Sequence, residues 1–158
     1  MYVDPVTLPR DIAHPEAFVD FGEFKTACYY VARVLGFRIV EAWKRGEDKA
    51  SGGFTYDNYH AALLETSRGK VWVLCNAGFP FLAFVAAPLD KCFVDMPQLA
   101  KRFVQTTEFR PFSANYLNRA FSKEQNLGLL MLLSEAEMRD VRRWSPNSVG
   151  EVIFNEWD

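Results

Sequence analysis

The longest apolar stretch of the chain runs from Val71 to Ala87 and has the sequence VWVLCNAGFPFLAFVAA. Asn76, Gly78 and Pro80 interrupt it, whereas a membrane-spanning helix needs about 20 apolar residues in succession. The pattern therefore predicts two short buried strands joined by a turn. Both alternating sets of side chains are apolar in these strands, so we expect the hairpin to be covered on both faces of the sheet.

Further apolar runs predict strands on either side of this hairpin. They cover Phe37–Trp43, about Tyr56–Thr66, Ala114–Phe121 and Asn126–Leu133. The tight turn Ser67–Lys70 joins the second of these strands to the hairpin, and short connections of this kind are typical of antiparallel pairing. Leu129–Leu133 also fits a helix, because a short apolar run does not distinguish the two structures.

Three segments combine helical apolar periodicity with capping-box spacing, in which an N-cap residue is followed three positions later by Glu or Gln. Their N-caps are Asp20, Asp95 and Ser134. Gly36 is suited to end the first helix in a left-handed C-cap. Ser148 begins a fourth segment with the same spacing, for which an edge strand is the alternative.

These elements predict a single α+β domain, an antiparallel sheet of about five to six strands with helices packed on it. Residues 1–19 contain Pro5, Pro9 and Pro15 and predict an extended arm, either packed along the domain or mobile. The domain itself then covers 20–158. The first helix and the C-terminal residue Trp157 are the expected covers of the two sheet faces.

Composition limits the classes of function. The net charge is only −2, without the basic excess typical of proteins that bind nucleic acid or anionic membranes. Cys28, Cys75 and Cys92 lack the close spacing of a zinc site, and we expect buried thiols in a reducing compartment. The N-terminus has no signal-peptide pattern, which predicts a cytoplasmic protein. We expect no nucleic acid, no membrane and no cofactor as partner.

The sequence assigns no catalytic residue, no cofactor-binding residue and no metal ligand. Motifs for a catalytic serine, a zinc protease, a phosphate loop and a dinucleotide are missing from it. His14 lies in the proline-containing arm. His60 lies in a predicted strand, where Asp57 would point to the opposite face, so we expect a hydrogen-bonded structural histidine and no enzyme activity.

Basic residues on two predicted helices are a candidate contact surface for a phosphate backbone or an acidic protein. They are Arg139, Arg142 and Arg143 on one helix, and Lys101 and Arg102 on the other. The simpler interpretation is a solvated helix surface, whose arginines lie where the helix dipole favours cations. The loop Lys44–Gly53 and the arm are further candidates, because loops often carry binding residues.

The C-terminal segment Trp144–Asp158 has the most distinctive pattern of the chain, W-x-P-x-x-V-G-E-V-I-F-N-x-W-D. It resembles the ending of small bacterial immunity proteins of polymorphic-toxin systems. The resemblance implies an intracellular protein that binds a cognate toxin domain and blocks it, without catalytic residues of its own. Physically, the apolar residues around Trp157 indicate a tail that docks on the core.

Two other functions are compatible with the sequence. The order of helices and strands is similar to that of type III secretion chaperones, which are small dimeric proteins that bind an unfolded effector segment. A ligand-binding or enzymatic domain would instead need a pocket with convergent polar groups. We expect a monomer or a dimer whose partner is a protein, either a toxin domain or an effector.

Overall fold

A five-stranded sheet forms the middle of the protein. The computed structural model describes residues 1–46, 58–88, 91–121 and 133–157. The strands follow the order β1 (Arg38–Trp43), β2 (Tyr59–Thr66), β3 (Gly69–Asn76), β4 (Phe81–Val85) and β5 (Arg110–Pro111). Strands β1 to β4 pair antiparallel, as predicted, and β5 lies parallel to β4. The predicted α+β fold is confirmed.

The described ranges contain five helices. They are α1 (Phe21–Leu35), α2 (Pro97–Thr106), α3 (Ala114–Leu117), α4 (Glu135–Trp144) and α5 (Val149–Ile153). Among them, none combines the length and the apolar character needed to cross a membrane. Helix α1 begins and ends as predicted, because the Asp20 side chain accepts the Glu23 N–H and Gly36 adopts a φ of 72°.

Both faces of the hairpin β3–β4 are covered, as its apolar pattern predicts. One face, here called the α1 face, packs against α1 and α2 through Val73, Leu82, Phe84, Phe24 and Phe103. The opposite face, here called the tail face, packs against the arm and α5 through Leu74, Ala83, Ile12, Val152 and Ile153. Trp157 lies partly buried on the tail face, so α1 and the tail are the two predicted covers.

The N-terminal arm lies along the domain. Leu8 and Ile12 are fully buried in the tail-face cluster. The Val3 N–H donates to the Pro111 carbonyl, which ties the beginning of the arm to β5. Of the two expectations for the arm, the packed one is therefore correct.

The last two helices follow their capping signals. Ser134 and Glu137 form a complete capping box at the start of α4, and Met138 and Val141 pack partly buried against the tail face. The Ser148 side chain accepts the Glu151 N–H at the start of α5, so the tail is helical and not an edge strand.

Two predictions fail around α3. The predicted strand Ala114–Phe121 is wrong, since Ala114–Leu117 form a helical turn that buries the adjacent residues Tyr116 and Leu117. A strand would point two successive side chains to opposite faces. The predicted Asp95 cap of α2 is also wrong. Helix α2 begins after Met96 without a side-chain cap, and Asp95 Oδ1 instead accepts the Ala114 N–H at 2.8 Å.

Several predictions fall outside the described residues. They are the loop Lys44–Gly53 from residue 47 onward, the beginning of the predicted strand Tyr56–Thr66, and the predicted strand Asn126–Leu133 up to residue 132.

Candidate functional site

His60 is buried in β2 and binds backbone groups of two neighbouring segments. Its Nδ1 accepts the Arg45 N–H at 3.0 Å, and its Nε2 lies 2.9 Å from the Val19 carbonyl oxygen. A neutral ring with the proton on Nε2 satisfies both contacts. Burial lowers the pKa of His60, which favours this neutral form. The histidine thus joins the segment before α1 to the sheet, and Asp57 lies outside the described residues.

The cysteines occupy two different environments. Cys28 and Cys75 are buried, and their burial raises the pKa of both thiols. Cys92 is exposed, which corrects the expectation of three buried thiols. Within the described ranges, no group of three or more His, Cys, Asp or Glu residues is arranged to hold a metal ion.

The predicted basic patch does not form as one surface. Helix α2, with Lys101 and Arg102, packs on the α1 face of the sheet, whereas α4 packs on the tail face. The sheet therefore separates these two residues from the arginines of α4. Of those arginines, Arg143 stacks on the neighbouring Trp144, with its guanidinium carbon 5.2 Å from the ring centroid.

The distinctive C-terminal segment is used for packing. A Cβ at Gly150 would lie 2.2 Å from Phe93 Cε2, so the helix α5 approaches Phe93 as closely as glycine allows. The buried Asn155 side chain donates to the Val152 carbonyl and accepts the Trp157 N–H. These contacts confirm that the tail docks on the core.

Buried polar side chains bind the arm and the tail to the sheet. Asn58 and Asn76 each donate from Nδ2 to the Ile12 and Ile153 carbonyls, at 2.8 to 3.0 Å. Glu137 of α4 is 0% exposed. Its carboxylate accepts the Asp11 N–H at 2.7 Å and the Ala13 N–H at 2.6 Å. The capping-box spacing predicted the local role of Glu137 but not this contact with the arm.

A second polar cluster lies where the tail ends. Glu156 accepts a hydrogen bond from the Tyr59 hydroxyl at 2.6 Å and forms an ion pair with Lys91. The Lys91 Nζ lies 4.9 Å from the centroid of the Tyr59 ring. Because Glu156 belongs to the tail and contacts both Tyr59 of β2 and Lys91, this cluster holds the tail against the sheet.

A shallow groove lies between α1 and the end of α2 and is here called the α1–α2 groove. Its volume is about 580 Å³. Ala27 and Phe109, which are 9% and 2% exposed, form its apolar floor. Tyr30 stands along its α1 side and is 51% exposed.

Exposed apolar side chains continue from the groove along the outer side of α1. Tyr29 is 51% exposed and Val34 is 44% exposed. Tyr30 and Val34 are four residues apart and are therefore neighbours on the helix surface. Half-exposed aromatic and apolar residues beside a concave surface are typical of sites that bind another protein.

Another depression, of about 640 Å³, lies beside the turn between β2 and β3. Its lining includes Phe37 and the charged residues Lys70 and Asp95, which are exposed to solvent. His60 is not part of this lining. The α1–α2 groove, with its buried apolar floor and adjacent tyrosines, is therefore the better candidate site.

Comparison of the chain with protein-family models, with curated proteins and with solved structures gives no match. Neither Tyr29 nor Tyr30 has a sequence motif around it that predicts a binding role. The groove depends on where α2 packs, and no local pattern contains that information.

Proposed function

We propose that the protein acts without catalysis by binding another protein, and that this partner is a bacterial toxin domain whose activity it blocks. The observation that carries the proposal is the pair Tyr29 and Tyr30, half-exposed on α1 beside a groove with an apolar floor. Tyrosine is enriched among the residues that dominate binding energy at protein interfaces. A toxin is favoured as the partner because the C-terminal segment resembles that of immunity proteins.

The resemblance concerns residues that pack the fold, so it does not locate the contact surface. Gly150 and Asn155 are buried against Phe93 and the arm. These residues are not available to a partner as long as the tail is docked. We therefore place the toxin contact on α1.

Helix α1 is a rigid support for such a contact. Its inner side buries Phe24, Cys28 and Val31 in the α1-face cluster. A side chain presented by a packed helix loses less conformational freedom on binding than one on a mobile loop. An interface of ordinary size covers about 800 Å² on each partner, which is about a tenth of the surface of a small protein.

Co-expression with the product of a neighbouring reading frame, as the candidate toxin, tests the proposal. The wild-type chain should restore growth and co-purify with that product. The Tyr29→Ala/Tyr30→Ala variant should bind about tenfold to a hundredfold more weakly, as expected for two interface residues of this type. Trp144→Ala is the matched control, because it removes an exposed aromatic side chain from α4 and should bind normally.

Failure of the wild-type chain both to rescue growth and to form a complex would refute the proposal. An obligate dimer that buries Tyr29 and Tyr30 would also contradict it, because the tyrosines would then be unavailable to a toxin. Size-exclusion chromatography with light scattering, on the wild type and on the tyrosine variant, tests for such a dimer. That result would favour a dimeric chaperone instead.

A further inference from the structure

We infer that the α1–α2 groove receives a lysine or arginine side chain of the partner protein. This inference rests on the proposed function and adds the chemistry of the contact to it. Three features of the groove lead to it: a buried apolar floor, an exposed aromatic wall, and carboxylates on both sides of the opening.

The apolar part of the groove fits the stem of a long cationic side chain. Lysine and arginine carry methylene groups that pack along apolar surfaces while the charged end stays near water. Phe109 and Ala27 offer such a surface, and the half-exposed ring of Tyr30 lies beside it. A cation over an aromatic ring gains further stabilisation from the ring electrons.

The charged part of the groove is negative. Asp20 and Glu23 lie at the beginning of α1, and Glu108 lies just after α2 on the opposite side. All three carboxylates are exposed, and none forms an ion pair within the part of the chain that the structure describes. Asp20 also caps α1 by accepting the Glu23 N–H at 3.0 Å, which fixes its position at the opening.

No basic residue is among the described residues that line the groove. Arg110 Nη1 donates to the carbonyl oxygens of Thr107 and Phe109, at 3.0 and 3.2 Å. The guanidinium of Arg110, which follows Phe109 in sequence, is thus held by neutral backbone groups, and three carboxylates are among the residues that line the groove. A partner phosphate or carboxylate would meet like charge here, whereas a partner cation meets complementary charge. A protein surface with lysine or arginine therefore fits better than a nucleic acid.

Nuclear magnetic resonance with a defined probe tests this contact without the toxin. The peptide acetyl-Arg-Gly-Arg-amide is added to the ¹⁵N-labelled full chain, and its citrulline analogue, which has the same shape without the charge, serves as the reference. We expect amide shifts at Ala27, Tyr30 and Phe109 with the arginine peptide and much smaller ones with the citrulline peptide. Equal shifts with both peptides, or shifts only elsewhere, would overturn the inference.

Charge reversal tests the same contact from the protein side. The Glu23→Lys/Glu108→Lys variant should bind the arginine peptide about tenfold or more weakly, because attraction becomes repulsion. The control Glu16→Lys/Glu135→Lys makes the same change in net charge at two exposed residues outside the groove and should bind like wild type. Equal weakening in the two variants would show a general charge effect and would overturn the inference.

The toxin assay separates this inference from the proposed function. If the wild type neutralises the toxin and Glu23→Lys/Glu108→Lys neutralises it equally well, the inference fails and the proposed function stands. If the wild type does not neutralise or bind the toxin, the proposed function fails, and the inferred partner contact fails with it even where the peptide binds. Loss of toxin binding in Glu23→Lys/Glu108→Lys, with the control variant unaffected, supports both the inference and the proposed function.

Discussion

Replacing Glu137 by alanine removes the carboxylate that holds the N-terminal arm to α4. The carboxylate is 0% exposed and accepts the backbone N–H groups of Asp11, Ala13 and Ser134, at 2.6 to 2.9 Å. A hydrogen bond to a charged group contributes roughly 1.5–3 kcal/mol, and a buried donor left without a partner costs about 1–3 kcal/mol. Counting only the two bonds to the arm, we expect Glu137→Ala to lower the free energy of unfolding by about 3–5 kcal/mol.

Two further variants sharpen this prediction. Glu137→Gln keeps the shape and one carbonyl oxygen but places an amide donor against one of the N–H donors, so we expect a smaller loss of about 2 kcal/mol. Glu135→Ala is the matched control on the same helical turn. Glu135 is exposed, so its loss should cost only about 0.5 kcal/mol through the helix dipole.

Urea unfolding followed by circular dichroism gives the free energies, and hydrogen exchange at the Asp11 and Ala13 amides reports the arm itself. Exchange at these amides should accelerate in Glu137→Ala even where the sheet stays folded. A loss below about 1 kcal/mol, or one equal to that of Glu135→Ala, would refute the role given to the buried carboxylate.

Three other predictions concern the core. Gly150→Ala places a Cβ 2.2 Å from Phe93 Cε2 and should destabilise the protein by about 1–3 kcal/mol in urea unfolding, whereas unchanged stability would contradict this close packing. Burial lowers the pKa of His60 in the folded protein, so on acidification the unfolded chain binds a proton at a higher pH than the folded protein does. The free energy of unfolding should therefore fall as the pH drops below 6.5, and this pH dependence should be weaker in His60→Gln. Cys92 alone should react rapidly with a thiol reagent at pH 8 in the native protein, and rapid reaction of all three cysteines would show that the other two are not buried.

Local sequence patterns were sufficient to predict the elements whose side chains contact residues close to them in sequence. Helix α1 follows from its apolar spacing together with Asp20 and Gly36, which act within one turn of the helix. The two covers of the hairpin β3–β4 follow from its lack of a polar face. In both cases, the residues that allow the prediction lie within the element or a few residues from it.

Contacts between distant segments could not be predicted in the same way. Asp95 fits the spacing of a cap for α2, yet it binds the N–H of Ala114, which the fold brings close. Glu137 fits a capping box and also binds the arm, more than a hundred residues away in sequence. A capping pattern identifies an acceptor but not which of several nearby donors will reach it.

The candidate site also depends on contacts between segments that are distant in sequence. Tyr30 is visible in the sequence only as an aromatic residue away from the apolar stripe of α1. The groove beside it exists because Phe109, after α2, packs near Ala27 of α1. Neither the apolar pattern nor the charge pattern of one helix contains this arrangement.

Hydrogen–deuterium exchange of the complex with the toxin shows whether α1 is the contact surface. On addition of the toxin that the wild-type chain neutralises, we expect increased protection within Phe21–Leu35 and around Phe109. The tail helix Val149–Ile153 is already buried and should change little. Protection confined to α4 or to the tail, with Phe21–Leu35 unchanged, would show that α1 is not the contact surface.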